Sequence, residues 1–370
     1  MAEPSPATEP NRPARAADRR DGERARRPVV GLVAHDPGVP SFRLRMLPLR
    51  AALQRDGVDG RVVALGRGKE WLRVLRLARA WRRCDLLVFQ QVKLLAGERA
   101  FVRRRCPSWV LDVDDAIMFA RPRRPGDPPS QAWWRRRRFD RMAAICRLVV
   151  AGSESLTRTL GPGIERVVVL PSPVDLAAHP VAPLPDRRPV RFGWIGLASN
   201  LCYLEGLAPA LRRLAEDGVA FELRVLSSRP AELPGVPAVF VPWSVAGEGA
   251  ALADFDVGLA PLADDAWTRG KAGFRCIQYA AAGLPTVASP VGANREVVVE
   301  GETGTFASTP DEWLAALRRL AADHALRVRL GHAARARAAR YDVGAFVSRY
   351  LEALRPLLAA AALGLASDRT

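Results

Sequence analysis

The chain alternates short apolar runs with amphipathic stretches, and it does so in two series separated by a proline-rich break. In the first series Val29–Ala34, Arg61–Leu65, Asp85–Phe89, Trp109–Val113, Leu148–Ala151 and Val167–Leu170 read as strands. Short, nearly continuous apolar runs fit strands covered on both faces, as in parallel sheets. Helical spacing falls at Leu44–Gln54, Trp71–Trp81, Trp133–Ile145 and Glu154–Leu160. The stretch Pro171–Pro189 then breaks all periodicity and reads as a linker. The second series predicts strands at Arg191–Ile195, Glu222–Leu226, Ala238–Val241, Val257–Ala260 and Thr286–Ala288. Its helices are predicted at Leu204–Ala215, Gly273–Ala282, Asp311–Leu320, Ala325–Arg340 and Val343–Leu358. Alternating strands and helices imply βαβ units. The expected architecture is therefore α/β, with two Rossmann-like domains and a cleft between them. We place a disordered tail at 1–27, one domain at 28–178 and a second at 179–342. Residues 343–370 form a helix and tail expected to pack back on the first domain. In open α/β sheets ligands bind beyond the carboxyl ends of the strands.

Composition narrows the functional classes. A length of 370 residues suits two domains at roughly 100–200 residues each. No apolar run approaches the roughly 18–20 residues that span a bilayer, and the polar N-terminus lacks a secretory h-region. The five cysteines are odd in number and show no C-x-x-C spacing. That argues against a disulfide framework and a structural zinc site, and a reducing cytoplasm fits. The net charge of +17 is concentrated: residues 1–180 hold 35 Lys/Arg against 19 Asp/Glu, and residues 181–370 hold 21 against 20. The first half should therefore attract polyanions. Only Lys69, Lys93 and Lys271 are lysines, beside 53 arginines.

The segment from Arg269 to Gly304 carries the most chemistry. Lys271 precedes a helix that starts near Gly273. Unpaired N–H groups and the helix dipole suit that end to a diphosphate, and Lys271 and Arg275 add cations. Gln278 shares a helix face with Arg275 at i, i+3, where its amide can meet sugar hydroxyls. Gly283-Leu284-Pro285 stops the helix.

This segment resembles the donor-binding core of glycosyltransferase family 4. There a helix ending in A-x-G-x-P, a strand, a V-G turn and an E-x-x-x-x-G-x-x-G run form the nucleotide-sugar site. Further matches are Ala151–Leu160 with Val167–Asp175, Phe192–Gly196, and Asp256–Leu262. The resemblance implies the GT-B fold and transfer of a sugar from a nucleotide diphosphate sugar. It also implies retention of anomeric configuration and no metal or cofactor beyond that co-substrate. Donor contacts are then expected at Gly196, Ser199, Gly270, Gly273, Phe274, Gln278 and Glu296. Catalytic roles are expected for Lys271 and Arg275. Two departures stand out. Gly270 and Gln278 replace the two glutamates that many members carry eight residues apart. No Arg–Lys pair follows Gly196, where the sequence reads Leu197-Ala198-Ser199-Asn200.

The acceptor side is marked less sharply. His35, Gly38, Arg43 and Arg45 follow the first strand, and the arginines can hold an acceptor phosphate. Asp112, Asp114 and Asp115 end the strand Trp109–Val113. Asp114 is the candidate base, with Asp115 beside it on the acceptor side. The D-x-D spacing at Asp112 matches a metal motif of another fold only superficially. Two basic stretches, Trp71–Arg83 and Trp133–Phe139, place tryptophan beside arginine. They suit peripheral contact with an anionic membrane, at the inner face of the cytoplasmic membrane. The acceptor is open: a glycan, a lipid-linked molecule or a small molecule. Rival readings are an inactive nucleotide-sugar-binding accessory protein of polysaccharide assembly and a nucleotide-sugar epimerase. No nucleic-acid motif accompanies the charge, so no nucleic-acid partner is expected.

Overall fold

The computed structural model describes residues 27–362, apart from 67–69, 82–83, 105, 107, 123–132, 165, 180 and 182. The expected tail, save Arg27, lies outside the described residues, as do the side chains of Trp71 and Trp81. Two six-stranded sheets, parallel throughout, form the frame. The first contains β1 (Val29–Ala34), β2 (Asp59–Ala64), β3 (Leu86–Gln90), β4 (Trp109–Val113), β5 (Leu148–Ala151) and β6 (Val167–Val169), in the order β2-β1-β3-β4-β5-β6. The second contains β7 (Val190–Ile195), β8 (Phe221–Ser227), β9 (Ala238–Pro242), β10 (Val257–Ala260), β11 (Thr286–Ala288) and β12 (Gly304–Phe306), in the order β12-β11-β10-β7-β8-β9. The inner strands β1, β3, β4 and β5 are buried at every residue. That burial explains why they read as unbroken apolar runs rather than alternating ones.

Helices cover both faces of each sheet. On the first domain they are α1 (Pro40–Arg55), α2 (Glu70–Trp81), α3 (Ala96–Arg103), α4 (Trp133–Ala143) and α5 (Glu154–Thr157). The second carries α6 (Leu201–Glu205), α7 (Ala208–Glu216), α8 (Glu248–Ala253), α9 (Phe274–Ala281), α10 (Asn294–Val297), α11 (Pro310–Ala322) and α12 (His324–Ala338). The last helix, α13 (Val343–Ala362), returns to the first domain. It buries Phe346, Val347, Tyr350, Ala353 and Leu354 in one cluster with Phe42, Met46 and Leu49 of α1 and Leu32 of β1. That stripe follows the i, i+4, i+7, i+8 spacing of a core-facing helix.

Several elements depart from the periodicity. The helix predicted over Leu204–Ala215 is two helices, α6 and α7. Gly206 ends the first, and Pro209 sits in the opening turn of the second, where a missing N–H costs nothing. α1 begins at Pro40, four residues before the predicted start, for the same reason. On α2 the buried residue is Leu77, while Leu75 is 49% exposed and Arg73 bonds Glu98 of α3.

Candidate functional site

The carboxyl ends of both sheets face one cleft of about 360 Å³, lined from both domains. Its lining includes residues that directly follow strands: Gln91 after β3, Asp114 and Asp115 after β4, and Gly196 after β7. Chain topology therefore places these polar groups, since strand ends at a switch in strand order leave a crevice.

The wall formed by the second domain is cationic. Gly273, in the left-handed region at φ 64°, turns the chain into α9, and no side chain caps that helix. A helix start left open in this way directs unpaired N–H groups outward. Lys271 and Arg275 line the cleft beside it. Arg275 donates Nε to the Ile195 carbonyl at 2.5 Å and lies 4.7 Å from the centre of the Trp194 ring. Its guanidinium reaches under the loop after β7, where a Cβ at Gly196 would sit 2.8 Å from Nη2. The loop that lacks its own cation thus receives one from α9. Among the described residues no carboxylate pairs with Arg275 or Lys271. Burial lowers the pKa of both, and Arg275 and Arg121 lower that of Lys271 further, against the pull of Asp115. Cations without a paired carboxylate in a partly desolvated wall favour an anionic ligand.

Gln278 donates Nε2 to Glu248 of α8 at 2.7 Å, and Trp243 donates Nε1 to the other oxygen at 2.8 Å. Gln278, Glu248 and Trp243 all line the cleft. Opposite them, the Arg43 guanidinium lies 5.7 Å from the Trp243 ring centre, spanning the cleft between domains.

The wall formed by the first domain is acidic. Asp114 accepts hydrogen bonds from Gln90 at 3.3 Å and from Gln91. Burial pushes its carboxyl up to about 7, against the pull of Arg45 and with the push of Asp115 and Asp112. Burial also raises Asp115, while Lys271 and Arg121 oppose the rise. Gln91 takes φ 54°, the one non-glycine residue with positive φ among those described. That strained conformation aims its amide at Asp114.

The cleft therefore gathers Arg43, Asp114, Asp115, Gly196, Lys271, Gly273, Phe274, Arg275 and Gln278. Other expected contacts lie elsewhere. Arg45 is fully buried and bonds Asp112 through two nitrogens, each at 2.8 Å, so it holds no acceptor phosphate. Tyr350 of α13 donates to the same carboxylate at 3.0 Å, which leaves Asp112 no metal role. Glu296 does not reach the cleft. Its carboxylate accepts from the Glu154 and Ser155 backbone N–H groups and the Ser155 hydroxyl at 3.0, 2.7 and 2.6 Å. It thereby caps α5 across the domain boundary. Gly270 packs against the first domain: a Cβ there would lie 2.3 Å from the Ala116 methyl. Ser199 turns its carbonyl to Arg121, which also donates to Asn200 at 3.1 Å. His35 and Gly38 stand exposed outside the cleft lining. The part of the His35 ring turned into the protein, with the cations Arg73 and Lys93, lowers its pKa to about 4. Gln91, Trp243 and Glu248 were missed from sequence. Gln91 had only its place after a strand to mark it.

The second domain matches a known family over residues 192–323, and that family is described as glycosyl transferases group 1. No curated protein matches the chain. Among solved structures, sucrose-phosphate synthase from Thermosynechococcus elongatus is similar at TM-score 0.73 and 16% identity, covering 90% of this chain and 100% of that one. HepE from Anabaena, in complex with UDP-glucose, gives 0.66 at 14% identity, covering 89% and 99%. A glycosyltransferase from Rickettsia africae gives 0.65 at 12% identity, covering 90% and 99%. With two parallel sheets facing across a cleft, these likenesses establish that the chain has the GT-B fold.

Proposed function

We propose that this chain is a glycosyltransferase that moves a sugar from a nucleotide diphosphate sugar to an acceptor hydroxyl. The observation that carries the proposal is the pair Lys271 and Arg275 at the open start of α9, cations with no carboxylate partner among the described residues. The group-1 match over the same domain and the UDP-glucose complex of the similar HepE support it. The donor diphosphate lies against α9, and Gln278 with Glu248 meets hydroxyls of the donor. As the glycosidic bond to phosphate breaks, charge grows on the leaving nucleoside diphosphate. Lys271, Arg275 and the helix N–H groups stabilise that charge. Asp114 takes the proton of the acceptor hydroxyl as the new bond forms. Transfer proceeds with retention and without a metal, as the family 4 resemblance implies.

The test is Lys271→Ala, assayed for transfer with its fold checked by circular dichroism. Loss of transfer in a folded variant is expected, and full activity would remove the phosphate clamp. The glycine at position 270 favours a second reading, binding without transfer. Calorimetry across a panel of nucleotide sugars separates the two, since binding with no turnover on any acceptor assigns the accessory role.

A further inference from the structure

The first domain carries a surface that the cleft does not use. Trp133 and Trp134, in the first turn of α4, are 68% and 46% exposed. Behind them the helix carries Arg135, Arg136, Arg137, Arg138 and Arg141 against a single acid, Asp140. Asp140 is taken by Arg136 at 2.9 Å, and Arg136 also bonds the Thr159 carbonyl at 2.8 Å. Among the described residues no carboxylate pairs with Arg135, Arg137, Arg138 or Arg141. The patch adjoins α3 at Arg99, which feels the charges of Arg141 and Arg138. Burial lowers the pKa of Arg99 and of Lys93, and the nearby arginines add to it: Arg141 and Arg138 for Arg99, Arg135 and Arg138 for Lys93. The inner face of α4 is ordinary core, with Phe139, Met142 and Ala143 buried. The aromatic and cationic residues are therefore surplus to packing.

We propose that this face of α4, with the adjoining end of α3, docks the protein on an anionic lipid bilayer. Large apolar rings beside guanidiniums match the headgroup boundary, where the ring enters the interface and the cation meets lipid phosphate. The excess charge of the first half of the chain adds attraction over a longer range. Single-stranded nucleic acid is the competing polyanion, and it needs open aromatic faces for base stacking. The guanidiniums of Arg135 and Arg138 stack on the Trp134 ring at 5.0 and 5.3 Å from its centre. They occupy π surface that a base would need, which favours the bilayer. α4 follows β4 and leads back to the start of the parallel strand β5, so both tryptophans lie at the cleft end of the domain. Docking there brings the cleft to the membrane surface. None of this rests on the donor chemistry.

The experiment is sedimentation of the full chain with vesicles of phosphatidylcholine, with or without phosphatidylglycerol. Binding is expected only with phosphatidylglycerol and should weaken as salt rises. Each arginine reversed should cost about fivefold or more in partition, so Arg137→Glu/Arg141→Glu should lose at least about 20-fold. Trp133→Ser/Trp134→Ser should lose at least tenfold with an unchanged thermal midpoint, because both rings are exposed. Wild-type protein that stays in solution with anionic vesicles overturns the proposal. So do folded variants that sediment like wild type. Single-stranded RNA binding lost in the same variants, without vesicle binding, would assign the face to nucleic acid instead.

Discussion

Arg45, fully buried in the first domain, and Arg275, half-buried at the cleft in the second, face opposite fates. Arg45 has its charge met inside the protein by Asp112 at 2.8 Å and the Leu170 carbonyl at 2.7 Å, and Tyr350 donates to the same carboxylate. Arg275 has a carbonyl and an aromatic ring, and no acid among the described residues. A closed pair of this kind holds structure together, here α1, β4 and α13. A desolvated cation left open at a cleft costs stability until a ligand supplies the anion. The same residue type thus serves as a brace on one side of the molecule and as a binding group on the other.

The largest expected effect comes from breaking the brace. Arg45→Met strands the Asp112 carboxylate in the core and should destabilise the chain by about 3–5 kcal/mol. Replacing both partners, as Arg45→Met/Asp112→Leu, should recover most of that loss. Chemical denaturation measures both, and equal losses in the two variants would show that the pair is not the brace described. On the other side, Lys271→Ala should lower kcat by about 10²–10³-fold while stability stays the same or rises. A parallel fall in stability would place Lys271 with Arg45 as a structural cation.

Asp114 sits between these cases, buried yet facing the cleft. Its folded carboxyl titrates near 7, while an unfolded aspartate titrates near roughly 3.9. Between those values the folded state holds a proton that the unfolded state has released, so stability falls as pH rises through the window. Asp114→Asn escapes this loss. The variant should match wild type near pH 4 and exceed it at pH 8, by an amount on the order of a few kcal/mol. Transfer activity should drop about 100-fold or more in the same variant. A stability gain that does not depend on pH would mean that Asp114 is ionised throughout.

The contact at Gly270 predicts a smaller change. Gly270→Ala forces a methyl toward Ala116 and should cost about 1–3 kcal/mol by overpacking. An unaltered melting temperature would mean that the domains sit further apart in solution than this closed contact requires.

The sequence made the frame legible because the inner strands of both sheets are covered on both faces and write themselves as apolar runs. β12 was not legible, since Gly304-Thr305-Phe306 holds a single large apolar residue and follows the polar run Glu300-Gly301-Glu302-Thr303. The fate of Arg45 was in fact readable. Phe42, Met46, Leu49, Ala52 and Leu53 form the buried stripe of α1, and position 45 falls within it. An arginine on an apolar stripe needs an internal acid, whereas Arg43 lies off that stripe and reaches the cleft. Lys271 and the start of α9 were legible as a local pattern. Glu248 was not, because its partner Gln278 is 30 residues away and only the tertiary fold joins them. Glu296 misled for the same reason: a motif position cannot reveal that another domain's helix end lies within reach.

Glu248 also gives the finest test of the open wall. Two neutral donors hold its carboxylate, Gln278 and Trp243, and a carboxylate has acceptor capacity left for hydroxyls of a bound donor. Glu248→Gln keeps the size and one acceptor oxygen but removes the charge. A hydrogen bond to a charged acceptor is worth about 1 kcal/mol more than a neutral one, which corresponds to about fivefold. The variant should therefore bind nucleotide sugar about fivefold more weakly, with kcat within twofold of wild type. Calorimetry and steady-state kinetics read the two numbers separately. An unchanged affinity with a lower melting temperature would make Glu248 a second brace, one that fixes Trp243 beneath Arg43, and would leave Lys271 and Arg275 to carry donor binding from the α9 end.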